Sequence, residues 1–321
     1  GIVSFFKPDS TPVKRDRQPR EGWKAKRITR TAIEELNQME AGAQIFLWTH
    51  FMDPHWSYSP PQPFSEFYTE ALDYAKLNRA MAIPAGDLRY KNNLPDDIRK
   101  HLRNLYAGEV AYTDHEVGKL LRHLDETGLR KDAVVALTSD HGEAMGEKGF
   151  YYCHGDEVYR ESINVPLMIW NPNIVRGEVR QEAVSSLVIT GEILSLFQQK
   201  PLVDTRVESI IFAETDAWSM RQNTRKYFDG IKGKWRMAMD DTHKLVWIPH
   251  PDGAITELYN VVNEPAERQN LFMTQPYKTQ QLNSRLMEWI DEDAMSELET
   301  GKPTPKSSDL QEKLRNLGYI Q

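Results

Sequence analysis

The 321 residues are 40% hydrophobic, enough for a large core, and this length favours one large α/β domain with a smaller satellite over several equal domains. A formal charge of −7 excludes the basic excess of a nucleic-acid-binding protein, and the single cysteine, Cys153, excludes an internal disulfide. No apolar stretch approaches the roughly 18–20 residues of a membrane span, and Gly1-Ile2-Val3-Ser4 lacks the character of a signal peptide. In chain order, the basic residues Lys14, Arg15, Arg17, Arg20, Lys24, Lys26, Arg27 and Arg30 come first. Glu21, Glu34 and Glu35 dilute them, so the run reads as a solvated face.

Residues 23–39 predict an amphipathic helix, with Ile28, Ala32, Ile33 and Leu36 at helical spacing. The apolar run 45–48 predicts a strand buried on both faces, ending in Thr49-His50-Phe51-Met52-Asp53-Pro54-His55. A loop with Pro60, Pro61 and Pro63 follows, then a helical stretch at 64–78 and an irregular segment at 79–95. Asp96 opens a long helix reaching about Thr127, with Leu102, Leu105, Val110, Val117, Leu120, Leu121 and Leu124 as its buried stripe and Gly128 closing it. Further strands are predicted at 133–137 and 166–170. This alternation of strands and helices predicts a mostly parallel sheet sandwiched by helices over residues 1–202. Residues 203–321 predict a smaller C-terminal unit. Its close-spaced strands at 210–213, 227–231, 235–239, 244–248 and 256–260 suggest an antiparallel sheet, joined by a helix at 277–292 and a loosely held polar tail from Gly301.

Three clusters carry chemistry. Thr138-Ser139-Asp140-His141-Gly142-Glu143 follows a buried strand, and ligands in α/β sheets sit beyond strand ends. Asp140 can offer oxygen to a hard cation, and Gly142 lets the backbone turn away. The competing reading is a capping Asp140 and a surface His141. His50, Asp53 and His55 lie beyond another apolar strand, where imidazoles can hold an anion, against the alternative of an inert turn. His154, in a loop with Gly146, Gly149 and Gly155, suits a general acid, while Cys153 reads as packing.

These clusters resemble one family in order and spacing. The stretch from Leu47 to Pro61 is similar to the sulfatase segment ending in Pro-His before an aromatic and prolines. Tyr106-Ala107-Gly108-Glu109-Val110-Ala111-Tyr112-Thr113-Asp114 resembles the family's long helix. Ser139-Asp140-His141-Gly142-Glu143, Gly146-Glu147-Lys148-Gly149, His154-Gly155 and Val165-Pro166-Leu167-Met168-Ile169-Trp170 resemble its central block. Glu257-Leu258-Tyr259-Asn260 and the run Glu264 to Leu271 resemble its C-terminal signature. The chain thus resembles sulfatases of the alkaline-phosphatase superfamily.

The resemblance implies that Asp140 and His141 bind a divalent metal, calcium first and manganese as the alternative. It implies that His55 binds the sulfate or leaving oxygen, that His154 faces the scissile ester oxygen, and that His50 lies in the substrate site. It also implies a formylglycine nucleophile made from a Cys/Ser-x-Pro-x-Arg motif. These residues hold no such motif; Ser10-Thr11-Pro12-Val13-Lys14 has Lys14 where Arg is required. The expected whole is a sulfate-ester hydrolase whose nucleophile lies on an upstream segment, either a second chain or more of the same one, with this chain alone inactive. A phosphodiesterase or phosphonate monoester hydrolase, and a non-catalytic sulfatase-like subunit, remain the alternatives. The resemblance implies a periplasmic, secreted or lysosomal setting. Trp56, Tyr58, Trp218 and Arg221, on loops 56–95 and 215–226, are candidate contacts to a sugar or aryl group.

Overall fold

The computed structural model describes residues 3–6, 24–56, 58–66, 95–171, 177–180, 182–197, 210–215, 234–250 and 253–300. Most of the helix expected at 64–78, the strand at 227–231, much of the two aromatic loops and the tail lie outside them. The chain divides into two compact units. One comprises Gly1–Asp156, Glu161–Gln181 and Leu187–Val203; the other comprises Glu157–Arg160, Glu182–Ser186 and Asp204–Gln321.

In the first unit, strand β1 (Val3–Phe6) pairs with β2 (Phe46–Thr49), and helix α1 (Ala25–Leu36) lies between them in sequence. Ala25, Ile28, Ala32 and Leu36 recur at helical spacing and are buried, which makes α1 one-sided. Lys24 at its N-cap provides no side-chain cap. Distant groups satisfy the first turn instead: the Ala25 N–H donates to Asp53 Oδ2 at 2.8 Å and the Lys26 N–H to Tyr112 Oη at 2.9 Å. Helix α1 is therefore locked to the β2 loop and to helix α2 (Asp96–Glu126) from its first residue.

Helix α2 closes at Thr127, and Gly128 follows with φ 75°, the left-handed residue expected after a helix end. Its C-terminal half packs Leu120 and Leu124 against Ile28, Ala32, Leu36 and Leu47. Its N-terminal half packs Ile98 and Leu102 against Tyr58, Met145, Tyr151 and Tyr152. The buried stripe differs from the predicted one. Val110 is 43% exposed, whereas Glu109 and Glu116 are 1% and 2% exposed. Positions 102, 109, 112, 116 and 120 share the inward face at spacings of three, four or seven residues, and carboxylates occupy two of them. Gly108 is needed where the proline loop crosses the helix, because a Cβ there would meet Phe64 O at 2.6 Å.

Strand β3 (Val135–Thr138) pairs with β6 (Leu167–Trp170), and between them come the hairpin β4 (Ala144–Met145) and β5 (Tyr151–Cys153) and the short helix α3 (Arg160–Ile163). Helix α4 (Val188–Phe197) follows. The mixed α/β class is as expected, but every ladder among the described residues is antiparallel where the sequence suggested parallel pairing. Strand–helix alternation implies parallel strands only when a crossover joins the paired strands. Here β1 meets β2 and β3 meets β6 in opposed directions, and no described ladder links β2 to β3. The expectation of burial on both faces also gives way to alternation. Phe46, Trp48 and Met168 are 50%, 59% and 59% exposed.

In the second unit, β7 (Ile211–Glu214), β8 (Arg236–Met239), β9 (His243–His250) and β10 (Gly253–Asn260) form one antiparallel sheet in the order β10-β9-β8-β7. Helix α5 (Pro276–Thr300) lays Leu282 and Leu286 on Ile210, Ala238, Leu245 and Leu258, and Trp289 stacks on Phe212. The chain after β10 is held by carboxamide and carboxylate side chains. Asn270 Oδ1 accepts the Leu258 and Phe272 N–H groups, and Glu264 Oε2 accepts those of Arg268 and Gln269.

Candidate active site at the end of strand β3

Strand β3 delivers the chain at Thr138 into a tight polar turn. Ser139 Oγ donates to His141 O at 2.7 Å, and the His141 N–H donates to Asp140 Oδ1 at 3.1 Å. Gly142 serves close approach rather than a special φ, because a Cβ there would sit 2.0 Å from Glu161 O. Its N–H donates to Ser162 O at 2.8 Å, which seats the turn against α3. The side chain of Asp140 is half exposed, at 51%, with Oδ2 lying 3.7 Å from His141 Nε2.

Three imidazoles converge here. His154, leaving β5, stacks on His141 with centroids 3.5 Å apart and planes at 13°. His55, from the loop after β2, meets both edge-on, 5.1 Å from His154 and 6.3 Å from His141. Hydrogen bonds settle the tautomers. His141 Nδ1 lies 2.8 Å from Gly142 O and His55 Nδ1 lies 2.6 Å from Trp56 O. A carbonyl oxygen can only accept, so each Nδ1 carries the proton and each Nε2 is left with a lone pair. Burial, then the neighbouring imidazoles, push His55 and His141 below the ordinary imidazole range, partly offset by those carbonyls and nearby carboxylates. His50 is also pushed down by burial, while the charge of Asp140 pulls it up.

Two of the groups were not singled out from sequence. Glu143 is 8% exposed, and its Oε1 lies 3.4 Å from His154 Nδ1. Ala144 pairs with Cys153 in the β4–β5 ladder, so Glu143 and His154 flank the open end of that hairpin. The carboxylate orients the ring. Lys24 was read as part of a solvated basic face; instead it forms ion pairs with Asp53 at 3.0 Å and Glu109 at 3.2 Å. Asp53, a candidate from sequence, is thus engaged with Lys24 and the start of α1. Cys153 is buried, at 1% exposure, consistent with packing. Trp56 stacks on Tyr152 at 5.2 Å and meets Tyr58 edge-on, so these aromatics pack together beside the site.

For a cation, Asp140 and His141 offer two donors side by side. The bond from His141 Nδ1 to Gly142 O leaves Nε2 available, the arrangement that ligating histidines use. Among the described residues no group of three His, Cys, Asp or Glu side chains could hold a metal, and two donors are fewer than a divalent cation takes. No described helix is long and apolar enough to cross a membrane.

Comparison with known proteins bears on the fold and the family. Iduronate 2-sulfatase of Homo sapiens is 28% identical over 170 residues, covering 46% of this chain and 30% of that protein. Among solved structures, the yidJ protein of Bacteroides fragilis superposes with a TM-score of 0.64 at 19% identity, over 84% of this chain and 58% of that one. Phosphonate monoester hydrolase of Agrobacterium radiobacter gives 0.61 at 17% identity, over 82% and 60%. These likenesses establish the alkaline-phosphatase-like fold. The sulfatase family profile matches residues 3–199, more than half of the chain. The protein belongs to the sulfatase family.

Proposed function

We propose that this chain forms part of a metal-dependent hydrolase of sulfate esters. The convergence of His55, His141 and His154 beside Asp140 carries the reading. Asp140 and His141 hold a divalent cation, with calcium as the first choice. A bound cation withdraws charge from the oxygens of the ester group and neutralises the charge they gain in the transition state. His55 grips the anionic group through Nε2 once that nitrogen takes up a proton. His154 protonates the leaving oxygen from Nε2, with Glu143 fixing the ring.

The nucleophile in this reading is a formylglycine on a segment outside these residues, and the chain alone has no turnover. Trp48 and Met168, each 59% exposed, support a covering segment in this reading. A second reading, phosphodiester or phosphonate monoester hydrolysis with manganese, is favoured by the nitrogen donor of His141. Assaying the full-length protein with an aryl sulfate and an aryl phosphodiester separates the two, and turnover of the sulfate supports the first. Asp140→Ala is expected to abolish stoichiometric divalent metal by elemental analysis; retained metal removes the ligand role.

A further inference from the structure

The loop that carries His55 is tied at both ends. At Asp53, one carboxylate oxygen accepts the Ala25 N–H at 2.8 Å, the other accepts Lys24 Nζ at 3.0 Å, and the backbone carbonyl accepts Thr113 Oγ1 at 3.2 Å. At Ser59, the N–H donates to Glu109 Oε1 at 2.7 Å and the carbonyl accepts Lys24 Nζ at 3.0 Å. The same ammonium reaches Glu109 Oε1 at 3.2 Å. One lysine therefore bridges the two ends of the loop and the face of α2, and His55 and Trp56 lie on the arc between. Within the arc, the His55 N–H is fixed on Met52 O at 2.8 Å.

This network is a poor stabiliser for its size. Glu109 is 1% exposed and its Oε2 is buried without a protein partner. Burial pushes Glu109 up to about 7, against the pull of the Ser59 N–H and the Lys24 ammonium, with Asp53 adding to the rise. Lys24 is raised as well: burial opposes its charge, but Asp53 and Glu109 outweigh it. Glu109 thus titrates near neutrality while Lys24 stays charged, as expected when desolvation offsets much of the attraction. A charged cluster that contributes little net stability, yet joins both ends of a loop bearing a site residue, has its use in geometry.

We infer that Lys24, Asp53 and Glu109 are positioning residues, a clamp that closes the 53–59 loop and thereby sets the imidazole of His55 in the site. The inference rests on the reading of His55 as the anion-gripping group only for its kinetic consequence, not for its structural one. Displacing a gripping group by about 1 Å costs up to about 100-fold in efficiency. Because His55 holds the anion before and during reaction, the loss falls on KM more than on kcat.

The test uses the full-length protein, comparing Lys24→Met, Asp53→Asn and the conservative Lys24→Arg. Side-chain nitrogen NMR reads the Nδ1–H of His55 directly, with His243 in the second unit as an internal control. The clamp predicts that Lys24→Met and Asp53→Asn shift or broaden the His55 signal, leave His243 unchanged, and that Lys24→Arg restores the parent signal. An unchanged His55 signal in Lys24→Met or, where that variant does not fold, in Asp53→Asn overturns it. Kinetics on a sulfate ester then judges the catalytic reading separately. A moved His55 signal with KM raised about 10- to 100-fold supports both. A moved signal with unchanged kinetics keeps the clamp and removes the gripping role.

Discussion

The two units each hold a lysine–carboxylate contact, and the contrast between them separates a sealed pair from a half-open one. In the second unit, Lys244 pairs with Glu267 and donates to Val158 O at 3.0 Å, and the two side chains are 1% and 3% exposed. Tyr159 and Tyr259 complete that region by both donating to Glu257 Oε2 at 2.7 Å. These contacts tie Glu157–Arg160 to the antiparallel sheet and serve its packing. In the first unit, Lys24 is 39% exposed, spans three chain segments, and sits beside a carboxylate that burial disfavours. Similar ingredients give a sealed pair in one place and a part-exposed clamp on the His55 loop in the other.

Breaking the sealed pair gives the largest expected loss of stability. Glu267→Ala removes the carboxylate partner of a lysine buried in the sheet unit, and about 3–5 kcal/mol is expected to be lost in urea denaturation. A loss below about 1 kcal/mol would place this pair with ordinary surface ion pairs and erase the contrast.

The clamp behaves in the opposite sense. The folded state holds Glu109 at about 7, above the ordinary 4.5, so between those values the folded chain binds a proton that the unfolded chain has released. Its contribution therefore favours folding most below about pH 4.5 and declines as pH rises through about 7, by up to about 3 kcal/mol. Glu109→Gln is expected to flatten that decline relative to the parent. Parallel pH profiles for the two proteins would show that Glu109 ionises without cost and that the clamp is an ordinary ion pair.

The sequence made the frame of the site legible because its signals are local. Apolar runs marked β2 and β3, and the residues following each run delivered His50 and His55, Asp140 and His141 to strand ends. Gly128 marked the end of α2 through the backbone conformation that only glycine adopts at little cost. Contacts across long stretches of chain were not legible. Lys24 meets Glu109 across 85 positions and Asp53 across 29, and no periodicity relates such residues. Glu109 and Glu116 also interrupt the apolar stripe of α2, which is why Val110 was assigned inward in their place. Glu143 was visible as part of the Asp-His-Gly-Glu run, but its partnership with His154 depends on the β4–β5 hairpin bringing the two ends together. The described ladders are antiparallel where strand–helix alternation suggested parallel pairing, since alternation does not state which strands pair.

The central claim is that His154, oriented by Glu143, delivers the proton to the leaving oxygen beside the Asp140–His141 cation site. Its most direct test is a leaving-group series of aryl sulfates with the full-length protein and its His154→Ala variant. The account predicts that the variant loses about 100- to 10,000-fold in kcat with the poorest leaving groups and much less with the best. Equal losses across the series would contradict it.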